Sequence, residues 1–139
     1  MTGHRTRLLV AGVGPLPPER PDRLHAPGLR TWGIARELAR AGHPVRLLVA
    51  AFGEDPPLVR RYDLAPGDAA AFPDGLRREL PAEGGAAGGL GALIKAEARE
   101  WGADAAIGST DLMNAGLAAA GLDLPIWMDF NGDPMAERQ

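Results

Sequence analysis

The fold is decided by residues 7–51, RLLVAGVGPLPPERPDRLHAPGLRTWGIARELARAGHPVRLLVAA. An apolar run over Leu8–Val13 opens this stretch, and a second over Val45–Ala51 closes it. Between them lie a proline-rich segment and an amphipathic helix over about residues 29–41. Two parallel strands need a crossover of a dozen or more residues, and the crossover is right-handed in nearly all known proteins. The stretch therefore predicts one βαβ unit at the centre of the fold.

The helix of this unit has physical reasons to begin late and to end where it does. Gly42 can adopt the left-handed conformation that ends a helix, and Pro44 cannot continue one. The prolines before the helix keep that segment extended, because each lacks an N–H group and restricts its predecessor. A loop of this length inside a compact domain is uncommon and often functional. Residues 14–28 are therefore the first candidate for a binding loop.

The rest of the chain continues the alternation. We predict strands at residues 58–64, 105–108 and 124–128, and helices at residues 90–101 and 112–120. Residues 68–89 are rich in small residues and helix breakers, and we expect them to be irregular apart from one helical turn at residues 76–80. The pattern predicts one Rossmann-like α/β domain over residues 1–139. Its doubly wound parallel sheet would have about five strands in the order 3-2-1-4-5, with helices on both faces.

The composition excludes several classes of protein. There is no cysteine, so disulfides and thiolate metal sites are excluded, and no histidine has metal-ligand spacing, so we predict no metal site. A formal net charge of −3 with dispersed basic residues indicates no nucleic-acid partner. No apolar run is long enough for a transmembrane helix or for the core of a signal peptide. We therefore predict a cytoplasmic protein without a transmembrane segment.

Two nucleotide-binding motifs fit the chain poorly. Gly12 and Gly14 resemble the start of a dinucleotide-binding GxGxxG motif, but Pro17 occupies the third position. The helix also begins about a dozen residues late for that motif. The Walker A motif is absent, since the only lysine, Lys95, belongs to a predicted helix surface. Neither motif therefore defines the function.

The start of the first helix is a stronger candidate for anion binding. Gly28 allows close approach of a ligand to the backbone, and the first N–H groups of a helix have no partner within that helix. Arg30 could add a charge-assisted hydrogen bond. Gly28, Leu29 and Arg30 are therefore candidates for contact with a donor diphosphate or another anion. The alternative is that Gly28 only ends the loop and Arg30 is solvated, and the residues alone favour neither.

Ligands of such sheets bind beyond the carboxyl ends of the strands, where the strand order reverses between the first and fourth strands. Three segments converge there, and they supply the acceptor-side candidates His25, Ser109, Thr110, Asp129 and Asp133. Each has a structural alternative. Ser109, Thr110 and Asp133 could serve as helix caps without binding a ligand, and His25 could be a solvated loop residue. No residue is identified as catalytic from the sequence.

Two stretches resemble the N-terminal, acceptor-side domain of glycosyltransferase family four and similar GT-B sugar transferases. Residues 26–45, APGLRTWGIARELARAGHPV, are similar to the glycine loop, first helix and "GHxV" turn of that family. Residues 124–129, LPIWMD, are similar to the strand of that domain that ends in an acidic residue. Pro44 departs from the pattern, since the family usually has a polar residue there.

The resemblance implies that Gly28 and Arg30 approach the donor diphosphate while this domain holds a sugar or lipid-linked acceptor. In the family, a second Rossmann-like domain with an acidic motif grips the nucleotide sugar, and this chain lacks that motif. We therefore expect the N-terminal half of a two-domain enzyme that needs a C-terminal donor-binding domain or subunit. No cofactor is expected for this domain alone, and a nucleotide-sugar donor is expected for the complete enzyme.

The alternative is a free-standing flavodoxin-like module that binds a small anionic ligand without catalysis. A reading frame that continues past Gln139 into a second α/β domain would favour the enzyme. Pro134 suits the first turn of a new helix, with Asp133 as its N-cap. We expect this helix to be truncated over residues 134–139, which would leave part of a sheet face uncovered and favour self-association.

Overall fold

The computed structural model describes residues 6–20, 22, 26–51, 58–67, 76–79 and 85–129. These residues form six strands and three helices. In chain order they are β1 (Leu8–Val13), α1 (Ala26–Arg40), β2 (Val45–Ala51), β3 (Leu58–Leu64), β4 (Leu76–Glu79), α2 (Gly85–Trp101), β5 (Ala105–Ser109), α3 (Asp111–Ala120) and β6 (Ile126–Asp129). Within the described ranges, no helix has the length and hydropathy needed to cross a membrane. The predicted last helix, at residues 134–139, lies outside the described residues.

The strands form one sheet in the order β4-β3-β2-β1-β5-β6. Without β4 this is the predicted order 3-2-1-4-5, so the reversal between the first strand and β5 is confirmed. The strands β2, β1, β5 and β6 are parallel, as predicted. The edge formed by β3 and β4 is antiparallel, and the segment predicted as a helical turn at residues 76–80 is the strand β4. The linker over residues 52–57 is too short for the crossover that a parallel β3 would need.

The helices cover both faces of the sheet, as predicted. Successive side chains of a strand point to opposite faces, and both faces of β1 are buried. Val10 packs on the face covered by α1, whereas Leu9 packs on the face covered by α2 and α3. The largest fully buried side chains on the second face are Leu9, Leu48, Leu90, Ile94, Met113 and Leu117. The central strand is therefore shielded from water on both sides, which is the usual state of a parallel sheet.

Two glycines at the carboxyl ends of the central strands let helices approach closely. A Cβ atom at Gly12 would lie 2.2 Å from both Cγ2 and Oγ1 of Thr31 in α1. On the other face, a Cβ atom at Gly108 would lie 2.2 Å from Oδ1 of Asn114 in α3. The helix α1 accordingly buries its small residues Gly28, Thr31, Ala35 and Ala39. The bulkier apolar residues of α1, Trp32, Ile34 and Leu38, are only partly buried.

The glycine-rich start of α2 is helical, which corrects the prediction of an irregular segment up to residue 89. The helix begins at Gly85, five residues before its predicted start at residue 90. A Cβ atom at Gly91 would lie 3.0 Å from the backbone of Ala119, and one at Gly116 would lie 2.9 Å from Cβ of Leu90. These glycines therefore serve the close packing of α2 on α3.

A buried ionic network joins α2 to the strands β2 and β3 at the opposite end of the sheet from the β1 and β5 carboxyl ends. Glu97 is fully buried and accepts hydrogen bonds from Arg46 at 3.1 Å and from Arg61 at 3.2 Å. Arg46 also donates to Asp63 at 2.8 Å and 3.0 Å. The guanidinium of Arg46 lies 5.3 Å from the ring centroid of Trp101, which is half-buried. The network fixes the position of α2 over the antiparallel edge.

The close approach at Gly12 predicts a cost for any added side chain. We expect Gly12→Ala to lower the free energy of unfolding by ~1–3 kcal/mol, because α1 must move or Thr31 must leave its position. Gly33→Ala is the matched control, since nothing lies within 4 Å of its added Cβ atom and alanine favours a helix. That variant should be as stable as the parent or more so. Urea denaturation measures both, and an unchanged midpoint for Gly12→Ala would contradict the packing described.

The buried network predicts a second loss of stability. We expect Glu97→Ala to lower the free energy of unfolding by ~3–5 kcal/mol, because Arg46 and Arg61 would lose their shared buried carboxylate. Arg99→Ala, on the exposed face of the same helix, should change it little. The comparison is made by urea denaturation at neutral pH. Equal effects of the two substitutions would show that the network does not hold α2 in place.

Candidate functional site

The candidate site lies at the carboxyl ends of β1, β5 and β6, where the strand order reverses. Ser109, the last residue of β5, is the register partner of Asp129, the last residue of β6. Ile107 packs on the face of α1, and side chains alternate along a strand, so Ser109 belongs to that same face. Asp129, directly beside it, also belongs to the α1 face. Two predicted acceptor-side residues are therefore neighbours.

An ion pair connects the first helix to the last described strand at this site. Arg30 donates from Nε to Oδ2 of Asp129 and from Nη2 to Oδ1, each at 2.8 Å. This is the bidentate geometry in which a guanidinium holds a carboxylate most tightly. The side chain of Arg30 is 55% exposed, whereas that of Asp129 is only 18% exposed. Arg30, the predicted anion contact, and Asp129, the predicted acceptor-side carboxylate, therefore neutralise each other's charge when they are paired.

The ion pair perturbs both partners. The hydrogen bond from Arg30 holds the pKa of Asp129 below its ordinary value, against the opposing effect of partial burial. The same hydrogen bond raises the pKa of Arg30. Asp129 is therefore ionised throughout the neutral range, and in the paired state it is an acceptor of hydrogen bonds and not a proton donor.

Ser109 carries an unsatisfied hydroxyl beneath this ion pair. The residue is fully buried, and within the part of the chain that the structure describes its Oγ atom has no hydrogen-bond partner. The helix α1 packs over β1, and Arg30 reaches from that helix to β6. Since β5 runs between β1 and β6, Ser109 at its end lies between the strand that α1 covers and the strand that carries Asp129. A buried hydroxyl without a partner is costly and usually has a functional reason.

The turn from β5 into α3 has an unusual backbone. Thr110 has φ 85° and ψ 154°, a region that residues other than glycine rarely adopt. It occupies the N-cap position of α3, but its side chain makes no capping hydrogen bond, and its Oγ1 atom is buried without a partner. The alternative of a side-chain cap by Thr110 is therefore not realised. Strained residues of this kind cluster at ligand-binding turns.

Asn114 is a site residue that the sequence did not reveal. Its Nδ2 atom donates to the backbone carbonyl of Asp129 at 3.3 Å, which ties α3 to the end of β6. Its Oδ1 atom lies against Gly108 and has no hydrogen-bond partner. Asn114 therefore positions Asp129 from the opposite face of the sheet. The one signal in the sequence was Gly108, whose missing side chain makes room for this amide.

Residues 14–20 of the proline-rich loop pack away from the point where the strand order reverses. The carboxylate of Glu19 accepts the N–H of Leu16 at 2.8 Å, a hydrogen bond from Arg60 at 3.1 Å and another from the Tyr62 hydroxyl. Burial, together with that bond to Glu19, raises the pKa of Tyr62. Glu19 thus fastens residues 14–20 over β2 and β3. Among the described residues of the predicted loop, those in the first turn of α1 lie next to the ion pair.

The remaining predicted residues have different surroundings. Gly28 is buried in the first turn of α1, whereas Leu29 beside it is 45% exposed. His25 and Asp133 lie outside the described residues. Among the residues that the structure describes, no group of three His, Cys, Asp or Glu side chains is placed to hold a metal ion. Arg30, Ser109, Thr110 and Asp129 are therefore the predicted residues that the fold brings together.

A groove along the exposed side of α1 opens beside the ion pair. It has a volume of about 430 Å³ and is lined by Leu29, Arg30, Gly33, Ile34 and Glu37. Trp127, in the edge strand β6, is 74% exposed. Its register partner is Ile107, which places its side chain on the α1 face of the sheet as well. Exposed apolar surface therefore adjoins the charged pair.

No protein-family model matches the chain, and searches of curated proteins and of solved structures found no similar protein. The likeness to sugar transferases therefore rests on the sequence motifs alone. Functional inference has to proceed from the geometry of the site.

The ion pair predicts a specific titration. The Asp129 carboxylate should titrate below its ordinary pKa, and Arg30→Gln should raise that pKa, because partial burial then acts without the opposing hydrogen bonds. The carboxyl carbon of Asp129, followed by NMR from neutral pH downwards, measures this. Arg36→Gln, on the same helix, should leave the titration unchanged.

The lowered pKa of Asp129 determines the pH range over which its ion pair with Arg30 stabilises the fold. A depressed pKa in the folded state stabilises the fold above the unfolded pKa, and the contribution is lost as the pH falls through the folded value. The difference in stability between the parent and Asp129→Asn should therefore be constant near neutrality and shrink below about pH 4. A difference that grows on acidification would contradict the pairing.

Proposed function

We propose that this chain is the acceptor-side N-terminal domain of a two-domain glycosyltransferase. The enzyme would move a sugar from a nucleotide-sugar donor to an acceptor in the cytoplasm, together with a C-terminal donor-binding domain or subunit. One observation carries the proposal. The two stretches that resemble the family, residues 26–45 and 124–129, supply the two partners of the Arg30–Asp129 ion pair.

The chemistry of the site supports this assignment. Transfer of a glycosyl group requires a cation near the departing diphosphate and acceptors for sugar hydroxyls. Arg30, exposed at the first turn of α1, is suited to the first task, because a guanidinium binds phosphate oxygens in a bidentate manner. The Asp129 carboxylate and the Ser109 hydroxyl are suited to the second. All three groups lie at the reversal of strand order, where ligands of such sheets bind.

The groove beside the ion pair supports the acceptor role. Its lining combines the apolar Leu29 and Ile34 with the charged Arg30 and Glu37. A sugar or lipid-linked acceptor has the same combination of polar and apolar parts. The exposed ring of Trp127 adds a flat apolar surface on the same side of the sheet. The acceptor would enter along α1 and present its hydroxyl near Asp129.

A free-standing module that binds an anion without catalysis would use the same Arg30. The two functions differ in the fate of the bound ligand. The enzyme releases a nucleoside diphosphate and yields a glycosylated acceptor, whereas the module returns its ligand unchanged. The test therefore uses the product of the whole gene, with any co-purifying partner, and follows nucleoside diphosphate release from a panel of nucleotide sugars.

The proposal predicts a loss of activity on removal of one cation. We expect Arg30→Ala to lower kcat/KM for the nucleotide sugar by about 10–100-fold, the loss expected for a charge-assisted hydrogen bond. Arg36→Ala, on the same helix, should retain parental activity. Parental activity of Arg30→Ala would exclude this role for the residue. Absence of release from every nucleotide sugar by the whole gene product would refute the glycosyltransferase assignment.

A further inference from the structure

The Arg30–Asp129 ion pair is asymmetric in a way that suits exchange with a ligand. Arg30 is more than half exposed, so water and solutes reach its guanidinium directly. Asp129 is largely covered and is fixed on two sides, by the pairing of β6 with β5 and by the hydrogen bond from Asn114 to its backbone carbonyl. One partner can therefore move while the other stays in place. Exchange would replace this bidentate contact of Arg30 with an equally charge-assisted contact to a ligand anion.

The buried Ser109 hydroxyl is the second, independent sign of a ligand. It is fully buried, its Oγ atom has no hydrogen-bond partner among the described residues, and it belongs to the same sheet face as the Asp129 carboxylate beside it. Ser109 ends the strand between β1, which α1 covers, and β6, which carries Asp129, so it lies next to the Arg30–Asp129 contact. Movement of Arg30 towards a ligand would open the hydroxyl and the carboxylate together. Both are then available to the same incoming group.

We propose that Arg30, Asp129 and Ser109 form a binding site for a phosphate ester with a hydroxyl on the neighbouring carbon. The guanidinium takes the phosphate, and the Asp129 carboxylate accepts the hydroxyl hydrogen. The Ser109 hydroxyl hydrogen-bonds to the same part of the ligand. The spacing follows from the paired state. Guanidinium and carboxylate are in direct contact at 2.8 Å, so the two ligand groups that replace this contact must themselves be close together.

Simpler ligands lack one of the two required groups. Inorganic phosphate offers an anion to Arg30 but has no neighbouring carbon-bound hydroxyl for Asp129, whose carboxylate then loses its guanidinium partner without a replacement. A neutral sugar offers hydroxyls to Asp129 but cannot replace the carboxylate at the guanidinium. The ester gives each partner a new hydrogen-bonded contact, an anion for Arg30 and a hydroxyl donor for Asp129. The site therefore favours ligands that carry both a phosphate and a hydroxyl on the neighbouring carbon.

This inference deepens the proposed function, and its naming of the natural ligand rests on that proposal. For a glycosyltransferase, the ester is the sugar 1-phosphate part of the nucleotide-sugar donor. Arg30 would contact the phosphate next to the sugar, and Asp129 would bind the 2-hydroxyl. The acceptor-side domain would then recognise the donor sugar as well as the acceptor. Donors without a 2-hydroxyl would be poor substrates.

The experiment compares matched ligands on the 139-residue chain. Glucose 1-phosphate and 2-deoxyglucose 1-phosphate differ only in the 2-hydroxyl, and glucose and inorganic phosphate each supply one of the two required groups. Binding is followed by NMR through the Nε–H signal of Arg30 and the amide signals of Ser109 and Asp129. We expect glucose 1-phosphate to bind at least about tenfold more tightly than each of the other three. Equal affinity for the two esters would overturn the inference.

Substitution of Asp129 gives an outcome that a purely structural ion pair would not produce. In Asp129→Ala the guanidinium loses its internal competitor, so inorganic phosphate should bind more tightly than to the parent, and the preference for the 2-hydroxyl should disappear. Asp129→Asn keeps the side-chain shape, and its tighter binding of phosphate provides the same test if the alanine variant does not fold. Unchanged or weaker phosphate binding in the folded variant would refute the exchange.

Two further variants complete the test. Arg30→Gln should abolish binding of both esters, while Arg36→Gln should bind them as the parent does. Ser109→Ala should weaken glucose 1-phosphate binding more than phosphate binding, and an equal effect on both would remove Ser109 from the site. Failure of this inference is distinguishable from failure of the proposed function. The first is decided by ester binding to this chain, and the second by release of nucleoside diphosphate from the whole gene product.

Discussion

The structure depends on the absence of side chains at two positions, Gly12 and Gly108. These glycines lie one residue before the ends of the two central strands and face opposite sides of the sheet, and each leaves space that a side chain of an overlying helix fills. Thr31 fills the space at Gly12, and Thr31 directly follows Arg30. The contact that seats α1 on β1 therefore also sets the reach of Arg30 towards β6. At Gly108, Asn114 fills the space and holds the end of β6 from the other side. The same two contacts therefore determine both the packing of the helices on the sheet and the geometry of the candidate site.

The strand order could be predicted from the sequence because it follows from local patterns and general rules of chain crossover. Two apolar runs separated by a helix define a right-handed βαβ unit, and the later alternation adds strands on its other side. The antiparallel edge was missed although the short linker over residues 52–57 already excluded a crossover helix. The start of α2 was missed because its glycines were interpreted as helix breakers. They serve the approach of α3, and a single sequence does not show a neighbouring helix.

The site was predictable in its residues but not in its pairing. Arg30 and Asp129 each stood out from the chain, one at a helix start and the other at a strand end. Their direct contact joins residues 99 positions apart and depends on the width of one intervening strand. Asn114 offered no pattern, because a single polar residue in a helix is usually solvated. The Glu97 network and the Arg30–Asp129 ion pair also differ in how deeply they are buried. Glu97 is enclosed and holds elements together, whereas Arg30 is exposed and can change its partner.

The position of β1 in the sheet has a consequence for synthesis on the ribosome. The first strand to emerge lies at the centre, and its partner β5 follows about 90 residues later, a delay on the order of 5–20 s at ordinary elongation rates. During that interval β1 can pair with β2, but its other edge has no partner and the helix α2 that covers one face of it is not yet complete. An apolar strand with an open edge attracts other strands. The nascent chain therefore has its greatest need of chaperone protection before β5 leaves the exit tunnel, when more than two-thirds of the domain has already been made.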